Sequence, residues 1–78
     1  MKTVTLTWNP NTESNVTGYN VYRNYQKINA EPIPHSDSPQ YIDQIEPGNY
    51  FYAVTAINIH NLESDFSDYF YYKYEEVP

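Results

Sequence analysis

The sequence predicts an all-β fold: a β-sandwich with about six strands in a single domain, residues 1–78. Three observations predict it. Several windows alternate apolar and polar residues with period two, and none sustains an apolar stripe at i, i+3, i+4 and i+7. Candidate strands follow one another at short spacing with turn formers between them, the pattern of a sandwich or barrel. The apolar material is largely aromatic, with ten tyrosines, three phenylalanines and one tryptophan. Such residues are favoured in strands, and tyrosine tolerates water at its hydroxyl end.

The elements can be justified in order. KTVTLTW at residues 2–8 sets Val4, Leu6 and Trp8 on one face and Thr3, Thr5 and Thr7 on the other, a half-buried strand. NPNTESNVTG follows, rich in turn formers and punctuated by Pro10 and Gly18. Tyr19 and Val21 then alternate with Asn20 and Tyr22 in a second strand running to about Arg23, and Tyr25 to Asn29 forms a short third. Pro32, Pro34 and Pro39 exclude a central strand from residues 30–39 and make this stretch an edge-running loop. Tyr41 to Ile45 is a short strand ended by Pro47-Gly48. NYFYAVTAIN at residues 49–58 is the longest strand, apolar on both of its faces, and after HNLESD the last strand runs from about Ser67 to Tyr74. There is no internal repeat, linker or second domain.

Length and charge narrow the function. Seventy-eight residues lie near the size at which one core is only just sufficient, and the absence of cysteine removes disulfides and thiolate metal sites as reinforcement. Ten acidic and four basic residues give a formal charge of −6. Lys2, Arg23, Lys27 and Lys73 are scattered along the chain, which argues against phosphate neutralisation and so against nucleic acid, and equally against an anionic membrane surface. The charge permits a basic partner. No apolar run approaches a membrane span, and Met1 leads directly into a strand pattern instead of a signal peptide. Synthesis in the cytoplasm is expected if Met1 is the native start; an excised module would be extracellular.

Chemistry-bearing constellations are sparse. Glu63, Asp65 and Asp68 form an acidic cluster without the oxygen set or glycine of a calcium loop, so solvated acids are expected. His35 and His60 sit in separate loops, too few to ligate zinc. Ser36, Asp37 and Ser38 follow His35 in a proline-broken loop that fixes no catalytic geometry. Asn15-Val16-Thr17 fits the glycosylation acceptor pattern, a common tripeptide that here reads as coincidence. The expectation is a protein that is not an enzyme and needs no cofactor and no metal.

The chain resembles a fibronectin type III domain over nearly its whole length. Trp8 followed by Asn9-Pro10 is similar to the family's tryptophan and trailing proline, and GYNVYRN to its third strand. YID and then I-x-PGNY resemble the approach to the tyrosine corner, with Tyr50 as the corner residue. Y-x-Y-x-V-x-A-x-N at 50–58 is similar to the sixth strand and LESDFS to the loop before the last. The resemblance implies that Tyr50, Tyr52, Val54 and Ala56 face a core with Val4, Leu6, Trp8, Tyr19 and Val21, and that Phe51, Ala53, Thr55 and Ile57 face outward. Tyr50 should bend back to nearby backbone.

One departure matters. The family has a further strand before the tryptophan strand, and only residues 2–7 separate Met1 from Trp8 here. The first sheet is therefore expected to hold two strands, with residues 2–8 on an open edge, Thr3, Thr5 and Thr7 marking a site for strand addition and Lys2 as its only gatekeeper. In family register the last strand turns Phe70 and Tyr72 inward and Tyr69, Tyr71 and Lys73 outward. Tyr22, Phe51, Tyr69 and Tyr71 then form an outer aromatic face, a candidate partner-binding surface. A one-residue slip would exchange the faces of DYFYYKY.

These features imply a non-catalytic structural or binding module that docks on a larger protein assembly, through a protein partner or self-association. Similar domains decorate phage virions, so a small virion-surface or accessory structural protein is the concrete form. Two alternatives remain: a spacer or glycan-contact module from a secreted polysaccharide-degrading enzyme, its tyrosines stacking on carbohydrate, and an acidic intracellular inhibitor of a basic protein.

Overall fold

Two antiparallel sheets face each other across one apolar core. The computed structural model describes residues 1–13, 15–67 and 69–75. Its strands are β1 (Lys2–Thr7), β2 (Val16–Arg23), β3 (Gln26–Lys27), β4 (Ile33–Pro34), β5 (Gln40–Ile45), β6 (Gly48–Asn58) and β7 (Phe70–Tyr74). The small sheet is β1 with β5; the large sheet runs β3-β2-β6-β7, with β4 also paired to β2. The described residues contain no helix, and therefore none long and apolar enough to cross a membrane.

The strands deviate from the sequence expectation where local chemistry dictates. β2 begins at Val16 and includes Gly18, expected as turn punctuation. A Cβ on Gly18 would stand 2.9 Å from the Ile33 carbonyl oxygen, so glycine here admits the close approach of β4. A register irregularity between Val16 and Gly18 accompanies it. The proline-rich stretch keeps only the two residues of β4, on the outer side of β2, where a missing N–H is tolerated.

The last strand starts at Phe70, later than its expected start. Residues 62–67 run along β6 with a modified ladder. Ser64 and Ser67 N–H groups donate to the Ala56 and Val54 carbonyls at 2.9 Å, while the two serine hydroxyls accept from the N–H groups of those same residues, also at 2.9 Å. Serine side chains thus stand in for main-chain carbonyls, which satisfies the backbone of β6 without a regular strand.

Val4, Leu6, Val21, Ile45 and Tyr52 form the core cluster, drawn from both sheets. Tyr19 and Val21 are essentially inaccessible, whereas Trp8, Tyr50 and Val54 are half-buried and pack against the cluster. Tyr50 bends back, its hydroxyl donating to the Glu46 carbonyl at 2.5 Å. Lys2 lies in the inward row of β1, its ammonium 5.7 Å and 5.5 Å from the ring centres of Tyr72 and Tyr74.

Sequence alternation does not reveal the polar link between the sheets. Asp43, 8% exposed, points inward from β5 between Tyr41 and Ile45. Arg23 Nη1 donates to both of its oxygens, at 3.0 and 2.8 Å, and the Tyr52 hydroxyl donates to Oδ2 at 2.7 Å. Burial, followed by this hydrogen bond, pushes the Tyr52 hydroxyl pKa up. The partners differ in their access to water, since the Arg23 side chain is 32% exposed and that of Asp43 10%. Removing Arg23 strands a buried carboxylate, whereas removing Asp43 leaves a guanidinium with a route to solvent. Urea denaturation should therefore give Arg23→Ala a loss of about 3 kcal/mol and Asp43→Ala a smaller one. An equal or reversed order would contradict this account.

Candidate functional site

The outer face of the large sheet gathers six aromatic side chains. The register opposes Phe51 to Tyr71 and Tyr50 to Tyr72, so Tyr71 joins Phe51 on the outer face and Tyr72 enters the inner row. Phe51 and Tyr71 lie 5.0 Å apart between ring centres, and Phe51 and Tyr69 6.5 Å. Tyr22 meets Phe66 at 4.8 Å, and Phe66 in turn lies 6.4 Å from Tyr69. Tyr25 completes the group, 5.5 Å from Tyr69 and 6.5 Å from Phe66. Tyr22 is half-buried and the other five are exposed.

The four residues expected on this face, Tyr22, Phe51, Tyr69 and Tyr71, are thus brought together. Tyr25 and Phe66 are additions. Phe66 belongs to a stretch that alternation leaves as a loop, and Tyr25, expected to open a third strand running to Asn29, lies instead in the turn before β3, which keeps only Gln26–Lys27. The signal for Tyr25 is conformational. Asn24 and Tyr25 both have positive φ, 51° and 69°, in the two-residue connection between Arg23 and Gln26. That is the backbone of a type I′ hairpin turn, which favours asparagine first and glycine second. Here the second position carries tyrosine.

The upper part of the same face is covered. Ala53, Thr55 and Ile57, expected to face outward in the open, are buried. Glu63, itself exposed, reaches over the sheet beside them. Its Oε2 accepts from Thr55 Oγ1 at 2.5 Å, Tyr22 Oη at 2.5 Å and Asn20 Nδ2 at 3.2 Å. Asn20 Oδ1 in turn accepts from Asn29 Nδ2 at 3.0 Å, and Asn29 Oδ1 accepts the Val21 N–H at 2.8 Å. Glu63 is therefore a bonded anchor and not the solvated acid expected from the sequence. Asp65 is exposed, and Asp68 lies outside the described residues.

Hydrogen bonds from Thr55, then Tyr22, hold the Glu63 carboxyl below its ordinary value, and the same bond raises the Tyr22 hydroxyl.

The second surface is the free edge of β1. Among the described residues β1 is paired to β5 alone. Thr3, Thr5 and Thr7 are exposed along it. Beside the Trp8 end of this edge a cleft of about 570 Å³ opens between the sheets, lined by Leu6, Trp8, Tyr52, Val54 and Phe70 among others. Phe70 lies opposite Tyr52 in the inward row yet is 56% exposed, against 2% for Tyr52. The inward position expected for it is correct in register, but nothing from the small sheet covers it.

The remaining candidates are quiet. His35 is exposed, with Nδ1 2.7 Å from the Tyr19 hydroxyl, and that hydroxyl accepts from the Asn11 N–H at 2.9 Å. His60 lies in the turn after β6. Among the described residues, no group of three or more His, Asp or Glu side chains is placed to hold a metal ion. No family model matches the chain, and no curated protein or solved structure matches it significantly.

A depressed carboxyl pKa stabilises the fold above its ordinary value, and that stabilisation disappears as pH falls through the depressed value. Thermal melts should accordingly show stability declining as pH drops below about 4.5, the ordinary value for Glu63. Glu63→Gln should be less stable at neutral pH and should lose part of that decline. An acid limb identical in slope would remove Glu63 from the account.

Proposed function

We propose that this chain is a non-catalytic binding module of the fibronectin type III kind that docks on a larger protein assembly through the aromatic face of its large sheet. The strand arrangement supports the architectural part. In immunoglobulin-like sandwiches the second and fifth strands share one sheet and the third, sixth and seventh the other. The β1–β5 pair and the β2-β6-β7 order follow that division, and the Tyr50 bend accords with a tyrosine corner.

The observation that carries the functional part is Tyr25. A non-glycine residue in the left-handed region carries strain, and a bulky one there is an outlier. The residue is 63% exposed, and its edge contacts with Phe66 and Tyr69 leave most of it open to water. Strain retained without burial, beside five other aromatic rings, is accounted for by a contact that forms only with a partner. A small structural protein on a phage virion is the concrete form we favour, by analogy with similar domains on such particles. The rings argue against the carbohydrate alternative. A sugar stacks on ring faces held in one plane, whereas Tyr22–Phe66, Tyr25–Tyr69 and Phe51–Tyr69 are inclined at 78°, 70° and 82°.

Two measurements test this. Tyr25→Gly should raise unfolding free energy by roughly 0.5–1 kcal/mol, the strain relieved less the extra freedom of glycine in the unfolded chain. A clear loss would make Tyr25 a structural residue and withdraw the carrying observation. Sedimentation across a concentration series should show self-association of the wild-type chain, with Phe51→Ser/Tyr71→Ser a folded monomer. Two folded monomers of equal stability would rule out contact between copies through this face.

A further inference from the structure

The free edge of β1 and the cleft beside it coincide, and together they form a slot of the width of a strand. Three observations define it. Among the described residues β1 has a backbone edge without a partner strand over six residues, with β-branched side chains at most positions. The cleft opens on that same side and leaves Phe70 exposed in an otherwise inward row. Trp8, which lines the cleft, has a buried indole N–H that meets no acceptor among the described residues.

A second copy of the chain fits this slot poorly. Its own β1 has no spare apolar side chains to insert, since Val4 and Leu6 are each 8% exposed in their own core. Edge-to-edge pairing of copies would satisfy backbone groups and leave both clefts unfilled. The occupant must be a segment that is extended, carries side chains free to turn inward, and is not acidic.

We infer that the β1 edge accepts a β-strand from a different protein, in a segment bearing apolar residues at alternate positions toward the cleft and a Lys or Arg near Asp65. Asp65 is exposed and lines the cleft, which supplies the charge complement. Lys2, pointing inward over Tyr72 and Tyr74, occupies the opposite end, so the inserted side chains belong at the Leu6–Trp8 end. Backbone pairing with β1 supplies affinity, and the alternate pockets supply selectivity. This surface is separate from the aromatic face, so either reading stands or falls alone.

The test uses peptides of about ten residues, alternating Val, Ile, Leu or Phe with Thr and ending in two lysines, added to the full chain. A control peptide carries proline at the alternate positions. Calorimetry should show saturable binding of the alternating set only, and hydrogen exchange should show new protection at amides of residues 2–7. Phe70→Ser should weaken binding about tenfold, as expected for losing part of one buried aromatic contact, while Phe51→Ser/Tyr71→Ser leaves it unchanged. Three results would overturn the inference. One is no protection of residues 2–7 by any peptide at millimolar concentration. Another is binding that survives Phe70→Ser but is lost in Phe51→Ser/Tyr71→Ser. The third is protection of residues 2–7 that rises with protein concentration alone, which would make a second copy the occupant.

Discussion

A carboxylate sits in the core of this small domain, and much of the geometry follows from having to satisfy it. Asp43 occupies the inward row of β5, where an unpaired charge would be prohibitive. Its partners, Arg23 and Tyr52, both belong to the large sheet. Apolar burial is non-directional, and two short sheets with aromatic faces have several packings of similar area. A carboxylate with two donors has far fewer, because hydrogen bonds constrain both distance and angle. Arg23 lies against the Tyr50 ring as well, at 5.9 Å, which ties the corner tyrosine to the same link. The Lys2 ammonium closes the neighbouring part of the interface over Tyr72 and Tyr74. One end of the sandwich is pinned by directional contacts, and the end beyond Phe70 is left open.

That division explains what the sequence could and could not disclose. Alternation located the long strands because a half-exposed strand has to separate its two faces, and KTVTLTW does so cleanly. The register of the last strand was harder, since DYFYYKY is apolar on both sides. In the observed pairing Tyr72 and Tyr74 meet Lys2 inside, and Lys73 lies outside within 2.9 Å of Glu75. A slip would bring Lys73 into the inner row beside Lys2. Asp43 was illegible because its partners are 9 and 20 residues away, in strands on the other sheet. Glu63 was illegible for the same reason, with two of its three donors more than 40 positions upstream. A polar residue in an alternating strand announces a partner but not which one.

The outer face combines exposed rings with firmly held hydroxyls. Tyr22 is fixed through Glu63, and Tyr71 donates to Asn49 Oδ1 at 3.0 Å. Tyr25 is set by its turn, and Phe66 is carried by the 62–67 segment that the serine ladder and Glu63 fasten to β6. These four rings therefore give up much of their conformational freedom during folding and would have less to lose on binding. A purely structural aromatic cluster would gain most by burying its ring faces. Here the hydroxyls of Tyr22 and Tyr71 are bonded and apolar ring surface is left open, an arrangement that accords with the contact surface we propose. The β1 edge differs, with backbone groups open to solvent along one side and a cleft behind them. A partner at the aromatic face would need shape and apolar area. One at the edge would need an extended backbone, so a single partner would engage both only by presenting a folded surface and a free strand together.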